Sequence, residues 1–394
     1  MPAAALVLTT AYIVLAHLSP AALFPHLAHG HIMVWLAVAA TLACLSQVHF
    51  HLSRWRTPQV YLMLGLTVSV PLSLAVNGLV GEALHGLREF LVSGIAFFLV
   101  LAAVDTVRKM HFLSFSVVLA AFYLLLQSLY GFYRDGIHSQ YVIRQHTYNP
   151  QGDVIGEFPR LQAVGILNDP NGFAQFLLVA ASLLTLAWSP GRRIRNVALV
   201  ILPGAFLLYG VLITHSRGGL IGVAILAFFL LHKRFGTILS LAGSGGLLWL
   251  LFFLGAGGPR SISLADPATA GRIQVAETGA NLFRSSPVFG VGFQQFTVHN
   301  PALTAHNSIL LCLAELGIFG TLFWLGLIVF SILELNRMVR AKARDLAHSA
   351  DAVRIALFTF LGTAMFLSRT YTMTLYVLIG MAAAAAAIER GFSR

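Results

Sequence analysis

The chain has 394 residues, 58% of them hydrophobic and only 10% charged, with a mean hydropathy of +0.81 and a net charge of +11. Soluble globular chains carry about a quarter charged residues, so a water-soluble domain of this size is excluded. The basic balance would suit a nucleic-acid partner, but its distribution along the chain accounts for it without one.

Apolar segments recur from end to end, near residues 4–24, 31–50, 59–77, 90–105, 111–131, 171–188, 197–214, 218–232, 236–256, 308–333, 354–368 and 371–388. A membrane-crossing helix needs about 20 apolar residues, so the pattern predicts an all-α, polytopic integral membrane protein of about twelve transmembrane helices, one short segment of which could be re-entrant. The first segment lacks a basic n-region and reads as an anchor rather than a cleaved signal. Cys44 and Cys312 both fall inside apolar segments, which gives neither a disulfide framework nor a metal-ligand set.

With both termini placed in the cytoplasm, the inward loops hold sixteen of the 25 basic residues, including every lysine, and five acids, which is the whole of the +11. The outward segments carry nine arginines against eight acids. This is the positive-inside pattern, and it leaves no excess charge for nucleic acid. Two outward segments are long, 132–170 and 257–307. Loops of this length between packed helices are functional or disordered. Their Tyr, Phe, Pro and His content predicts partial order with short helices, and Ile273–Phe283 reads as an amphipathic helix at the outer surface. No internal repeat appears, so residues 1–394 read as one integral membrane unit.

Three outward arginines stand near turns: Arg160 before Asn168-Asp169-Pro170-Asn171-Gly172-Phe173, Arg217 in Thr214-His215-Ser216-Arg217-Gly218-Gly219, and Arg272 in Ala270-Gly271-Arg272. A guanidinium stays charged and presents a planar fork that fits phosphate oxygens. The plainer account is snorkelling to lipid headgroups or pairing with a carboxylate. His306-Asn307 precedes an apolar helix. An imidazole can act as a general base at neutral pH, whereas the plainer account makes Asn307 or Ser308 the helix cap and His306 a boundary residue. Pro287-Val288-Phe289-Gly290-Val291-Gly292-Phe293 spaces two glycines for a turn with close backbone approach, but follows no strand, which rules out a dinucleotide fold. No Asp-x-Asp pair, metal-spaced Cys/His set or Walker loop is present on the outward side. A diphosphate handled there would be neutralised by arginine.

In order, Arg160, Asn168-Asp169-Pro170-Asn171-Gly172-Phe173-Ala174, Ser216-Arg217-Gly218, Gly271-Arg272, Pro287-x-Phe289-Gly290-x-Gly292-x-x-x-Phe296 and His306-Asn307-Ser308-x-Leu310-x-x-Leu313-x-Glu315-x-Gly317-x-x-Gly320 resemble the bacterial O-antigen ligase and polysaccharide polymerase superfamily, closest to the ligase branch. The likeness covers roughly residues 155–325; in the first 150 residues only Arg88, before a span, is compatible. The resemblance implies a cofactor-free, metal-independent glycosyltransferase in the bacterial inner membrane with its active site on the periplasmic side. It would move a glycan from undecaprenyl diphosphate to an acceptor hydroxyl, on lipid A–core oligosaccharide in ligases or on another lipid-linked glycan in polymerases. By position, Arg217 and Arg272 would hold the diphosphate and His306 would take the acceptor's proton. Arg160, Asn171, Asn307, Glu315 and Arg88 would support them. Arg260…Gly271 also fits an Arg-x10-Gly pattern of the polymerase branch, a spacing easily met by chance among 35 glycines. A protein-directed ligase is a further reading. A lipid-glycan transporter is another, but it would place arginines through the depth of several spans and show internal repeats.

Overall fold

The computed structural model describes residues 2–24, 31–48, 52–149, 153–259, 267–301, 304–341 and 344–392. Its long helices are α1 (Pro2–Leu18), α2 (Ile32–Val48), α3 (Pro58–Val76), α4 (Val80–Ala103) and α5 (Val107–Asp135). After a hairpin of β1 (Val142–Tyr148) and β2 (Val154–Leu161) come α6 (Pro170–Leu183), α7 (Leu202–Ile213), α8 (Arg217–Phe253) and α9 (Pro267–Ser285). The chain ends with α10 (Ser308–Arg340), α11 (Arg344–Ala364) and α12 (Met373–Phe392). Arg260, and with it the Arg-x10-Gly spacing, lies outside the described residues.

Among the described residues, nine helical spans are long and apolar enough to cross a membrane, which makes this a multi-pass, all-α membrane protein. The difference from the expected twelve has three sources. The segments 218–232 and 236–256 are joined within α8 at Gly236, where φ is 75° and ψ −175°. The two halves lie side by side, since a Cβ on Gly243 would sit 3.1 Å from Leu231, and one on Gly257 would sit 3.2 Å from Arg217. α8 therefore consists of two adjacent spans joined at Gly236. Segment 31–50 is apolar only over Ile32–Ser46, too short to count. Segment 354–368 belongs to α11, whose first turns carry Asp345, His348, Asp351 and Arg354 and shorten its apolar part.

Segment 308–333 is corrected more deeply. Gly317, with φ 61°, breaks α10 into a short helix of residues 308–316 and a long one of 318–340. The carbonyl of Ser308 accepts from Thr370 Oγ1 at 2.7 Å, and Trp324 Nε1 donates to the carbonyl of Thr370 at 3.1 Å. A straight helix would hold Ser308 and Trp324 about 24 Å apart, so the chain turns sharply at Gly317.

A broken helix leaves backbone groups that lipid cannot satisfy. The Pro287–Phe293 run supplies the partners. Ile318 and Phe319 amides donate to the carbonyls of Pro287 (2.9 Å) and Val288 (3.0 Å). Val291 and Gly292 amides donate back to the carbonyls of Ala314 (2.9 Å) and Glu315 (3.0 Å). The other edge of the run is held by α3, where Ser73 Oγ accepts from the Phe293 amide (3.1 Å) and Asn77 Nδ2 donates to the carbonyl of Gly290 (2.7 Å).

The bundle is centred on α6 and α12, which are almost wholly buried, while the second half of α8 is the most exposed to the bilayer. The alanine run Ala382–Ala387 in α12 is buried throughout, and such small side chains let helices approach closely where van der Waals packing is the main attraction. Cys44 and Cys312 are free and buried.

The 132–170 segment departs from the expected short helices. Apart from two single turns of 3-10 helix, it folds as the antiparallel β1–β2 hairpin, with Ile143 opposite Arg160. β1 carries Val142, Ile143, Thr147 and Tyr148, residue types that favour strands, and Asn149-Pro150-Gln151-Gly152-Asp153 is turn chemistry, so the local sequence favours this outcome. The 257–307 segment contains α9, so the expected surface helix at 273–283 is present and longer at both ends.

Candidate functional site

Three capped helix starts meet at one end of the bundle. Asp169 caps α6, its carboxylate accepting from the amides of Asn171 (3.3 Å) and Gly172 (2.8 Å). Ser216 caps α8 through Gly219 (3.1 Å). Asn307 caps α10, with Oδ1 accepting from Ile309 and Leu310, both at 2.9 Å. Helix N-termini carry partial positive charge and favour anions.

Arg160, at the end of β2 and only 4% exposed, is fastened among them. Its Nε donates to the carbonyl of Thr214 (2.9 Å), one terminal nitrogen to Asn171 Oδ1 (2.8 Å) and the other to Gln145 Oε1 (3.4 Å). The same Asn171 oxygen accepts from Ser216 Oγ at 2.9 Å, which ties α6 to the start of α8 beside Arg217. Burial pushes the Arg160 pKa down to about 10; Asp169 opposes the shift, while the nearby Arg272 and Arg217 add to it. Three arginines from β2, α8 and α9 thus share one electrostatic neighbourhood.

His306 stands at the edge of that neighbourhood in a left-handed conformation, φ 48°, that a non-glycine residue holds only where its surroundings impose it. Its amide donates to Ser368 Oγ (3.0 Å), and Ser308 Oγ donates to the carbonyl of Leu367 (2.7 Å). The ring is half-buried, and burial first, then Arg272, lowers its pKa from the ordinary imidazole value, with Asp169 pulling the other way. Such an imidazole is neutral, and able to accept a proton, over a wider pH range than a free one.

The sequence-singled residues divide into two groups. Arg160, Asn171, Arg217, Arg272 and His306 come together, with Arg217 half-buried and Arg272 exposed. Asn307 is the helix cap, as the plainer account had it, and its Nδ2 also donates to the carbonyl of Met365 (3.2 Å). Glu315 is 2% exposed and turned inward, its Oε1 accepting from the Phe296 amide (3.2 Å) beside Tyr371; it braces the turn at Gly317. Arg88 lies exposed on α4, next to the His85–Glu89 pair (3.1 Å), and takes part in none of these hydrogen bonds. Gly290 and Gly292 hold backbone against backbone.

Sequence reasoning did not single out Arg369, Ser368 or Asp169 itself. Arg369 pairs with Asp169 at 2.9 Å across 200 positions, and its amide donates to Ser308 Oγ (2.8 Å). The available signal was slight: Arg369 is the one outward arginine in the short 365–372 connection.

The fold and this site define a multi-pass membrane protein with a cluster of arginines and a histidine at one end of its helix bundle. Residues 202–325 match the profile of a protein family described as O-antigen ligase, which shows the resemblance drawn from the motifs at the level of that superfamily. The matched stretch runs from α7 into α10 and contains Arg217, Arg272, His306, Asn307 and Glu315. The match supports, in general terms, a function of O-antigen ligase or polymerase type, and members of that family are glycosyltransferase-like enzymes. No curated protein matches the chain.

Proposed function

We propose that this chain is an O-antigen ligase, an inverting glycosyltransferase of the bacterial inner membrane working on the periplasmic side. The donor is a glycan on undecaprenyl diphosphate, and the acceptor is lipid A–core oligosaccharide. The observation that carries the reading is the convergence of Arg160, Arg217 and Arg272 with three helix N-termini around a half-buried His306.

The acceptor oxygen attacks the anomeric carbon while the bond from that carbon to the diphosphate oxygen breaks and the diphosphate leaves with its electron pair. His306 takes the proton from the attacking hydroxyl. The negative charge growing on the diphosphate is met by Arg217 and Arg272, with Arg160 held behind them by Asn171. Diphosphate is a good leaving group, so proton removal and charge stabilisation are the main tasks. No residue here requires a covalent intermediate. We expect turnover to continue in EDTA; loss on chelation with recovery on adding Mg²⁺ would contradict this mechanism.

The test uses the purified chain in nanodiscs with an undecaprenyl-diphosphate glycan and lipid A–core. Product should form with the wild type and vanish in His306→Ala with unchanged elution on size exclusion. Product from His306→Ala would sink the general-base role. Extension of the donor glycan in the absence of lipid A–core would instead make the chain a polymerase.

A further inference from the structure

We infer that Arg369 is a positioning residue, whose ion pair with Asp169 clasps the histidine-bearing half of the site to the arginine-bearing half. The connection 365–372 between α11 and α12 bonds to both. Through Ser368 it holds the His306 amide (3.0 Å), and through the Arg369 amide it holds Ser308 Oγ (2.8 Å). Through the Arg369 guanidinium it reaches Asp169 (2.9 Å) at the start of α6. Asp169 passes the contact on, since its Oδ1 accepts from Asn171 Nδ2 (3.2 Å) and Asn171 Oδ1 accepts from Arg160 (2.8 Å) and Ser216 (2.9 Å).

Gly172 shows that the guanidinium has a made place. A Cβ on this residue would lie 1.6 Å from the terminal nitrogen of Arg369. Its backbone is ordinary first-turn helix, so only the guanidinium requires glycine there.

The pairing also has an electrostatic consequence. The charged groups acting on His306 are Arg272 on α9 and Asp169 at the start of α6, and Arg369 in the connection is paired with Asp169. Arg160 on β2 is bonded to Asn171, Arg217 follows Ser216, which bonds the same Asn171 oxygen, and Glu315 is buried further along α10. Asp169 is the acid acting on the imidazole, and it favours the protonated form. Arg369 offsets that carboxylate. Without Arg369 the charge of Asp169 is unbalanced and His306 holds its proton to higher pH.

The clasp can be tested without assuming the reaction. Diethyl pyrocarbonate acylates neutral imidazole, and peptide mass spectrometry reads the His306-containing peptide against pH in the full-length protein. Arg369→Gln should move the labelling midpoint upward by about half a pH unit or more, and Gly172→Ala, which evicts the guanidinium while leaving both partners in the sequence, should do the same. Arg369→Lys keeps the charge and should leave the midpoint in place, and the double variant Asp169→Asn/Arg369→Gln should bring it back down. An unchanged midpoint in both Arg369→Gln and Gly172→Ala overturns the proposal. If Arg369→Gln does not fold, Gly172→Ala decides alone.

The transfer readout rests on the proposed function: Arg369→Gln should lower kcat about tenfold at pH 7 with little change in donor KM. Absence of transfer in the wild type would count against the functional reading, and the labelling midpoints would still judge the clasp.

Discussion

Gly290 and Glu315 meet backbone to backbone: a Cβ on Gly290, whose φ is 70°, would sit 2.3 Å from the carbonyl carbon of Glu315. Gly317 faces the same run, and a Cβ there would sit 2.3 Å from the carbonyl oxygen of Val288. Two motifs far apart in purpose on the sequence are thus one structural unit. Gly290→Ala and Gly317→Ala combine a left-handed backbone with a steric clash, and each should cost roughly 2–5 kcal/mol. Thermal unfolding in detergent, followed by fluorescence size exclusion, should show both variants melting well below the wild type, while Gly81→Ala on open helix surface should not.

The Asn307 cap separates stability from chemistry. Asn307→Ala should lose about 1 kcal/mol through the freed amides of Ile309 and Leu310. Asn307→Asp retains the acceptor oxygen and should melt close to the wild type. A melting loss in Asn307→Asp as large as in Asn307→Ala would assign the residue a role beyond the cap.

Arg160 is buried and shares Asn171 Oδ1 with Ser216. Asn171→Ala strands part of a buried guanidinium and should destabilise by about 1.5–3 kcal/mol, the range for a hydrogen bond to a charged group. Asn171→Asp supplies a second negative charge and should raise the Arg160 pKa from its depressed position. Denaturant-midpoint measurements on both variants check the ordering, with Asn171→Ala the less stable.

The pH profile of glycan transfer follows from the His306 direction. Burial and Arg272 favour the neutral ring, so base activity should be full at neutral pH and fall only below the ordinary imidazole range. Arg272→Gln removes one of the two lowering causes, so the acid limb should move to higher pH. An acid limb that stays fixed in Arg272→Gln would detach the limb from His306.

Arg217 tests the fork against the charge. Arg217→Lys keeps one positive charge but loses bidentate geometry, and turnover should fall by about tenfold or more. Free substitution by lysine would make Arg217 a headgroup anchor instead.

Composition alone made this an all-α membrane protein, because no soluble core can carry so few charges, and the spacing of apolar runs located the helices. The motif order also marked Arg160, Arg217, Arg272 and His306, which the fold brings into one neighbourhood. Other features lay beyond one-dimensional reading. The turn at Gly317 looks like ordinary span sequence, because its unsatisfied amides and carbonyls are paired by residues 287–292, 23 to 31 positions upstream, and hydropathy does not register such pairing. The 132–170 hairpin was written in strand-favouring residues around an Asn-Pro-Gln-Gly-Asp turn, which a reading by loop length passes over. Arg369 had no motif around it, and its partner Asp169 lies 200 positions away. The family resemblance marked Glu315 as a supporting residue of the site, and only packing turned it toward the Phe296 amide. Local periodicity and charge bias are properties of neighbours along the chain and are visible there. Which guanidinium meets which carboxylate depends on helices crossing in three dimensions, and that was decided only by the tertiary structure.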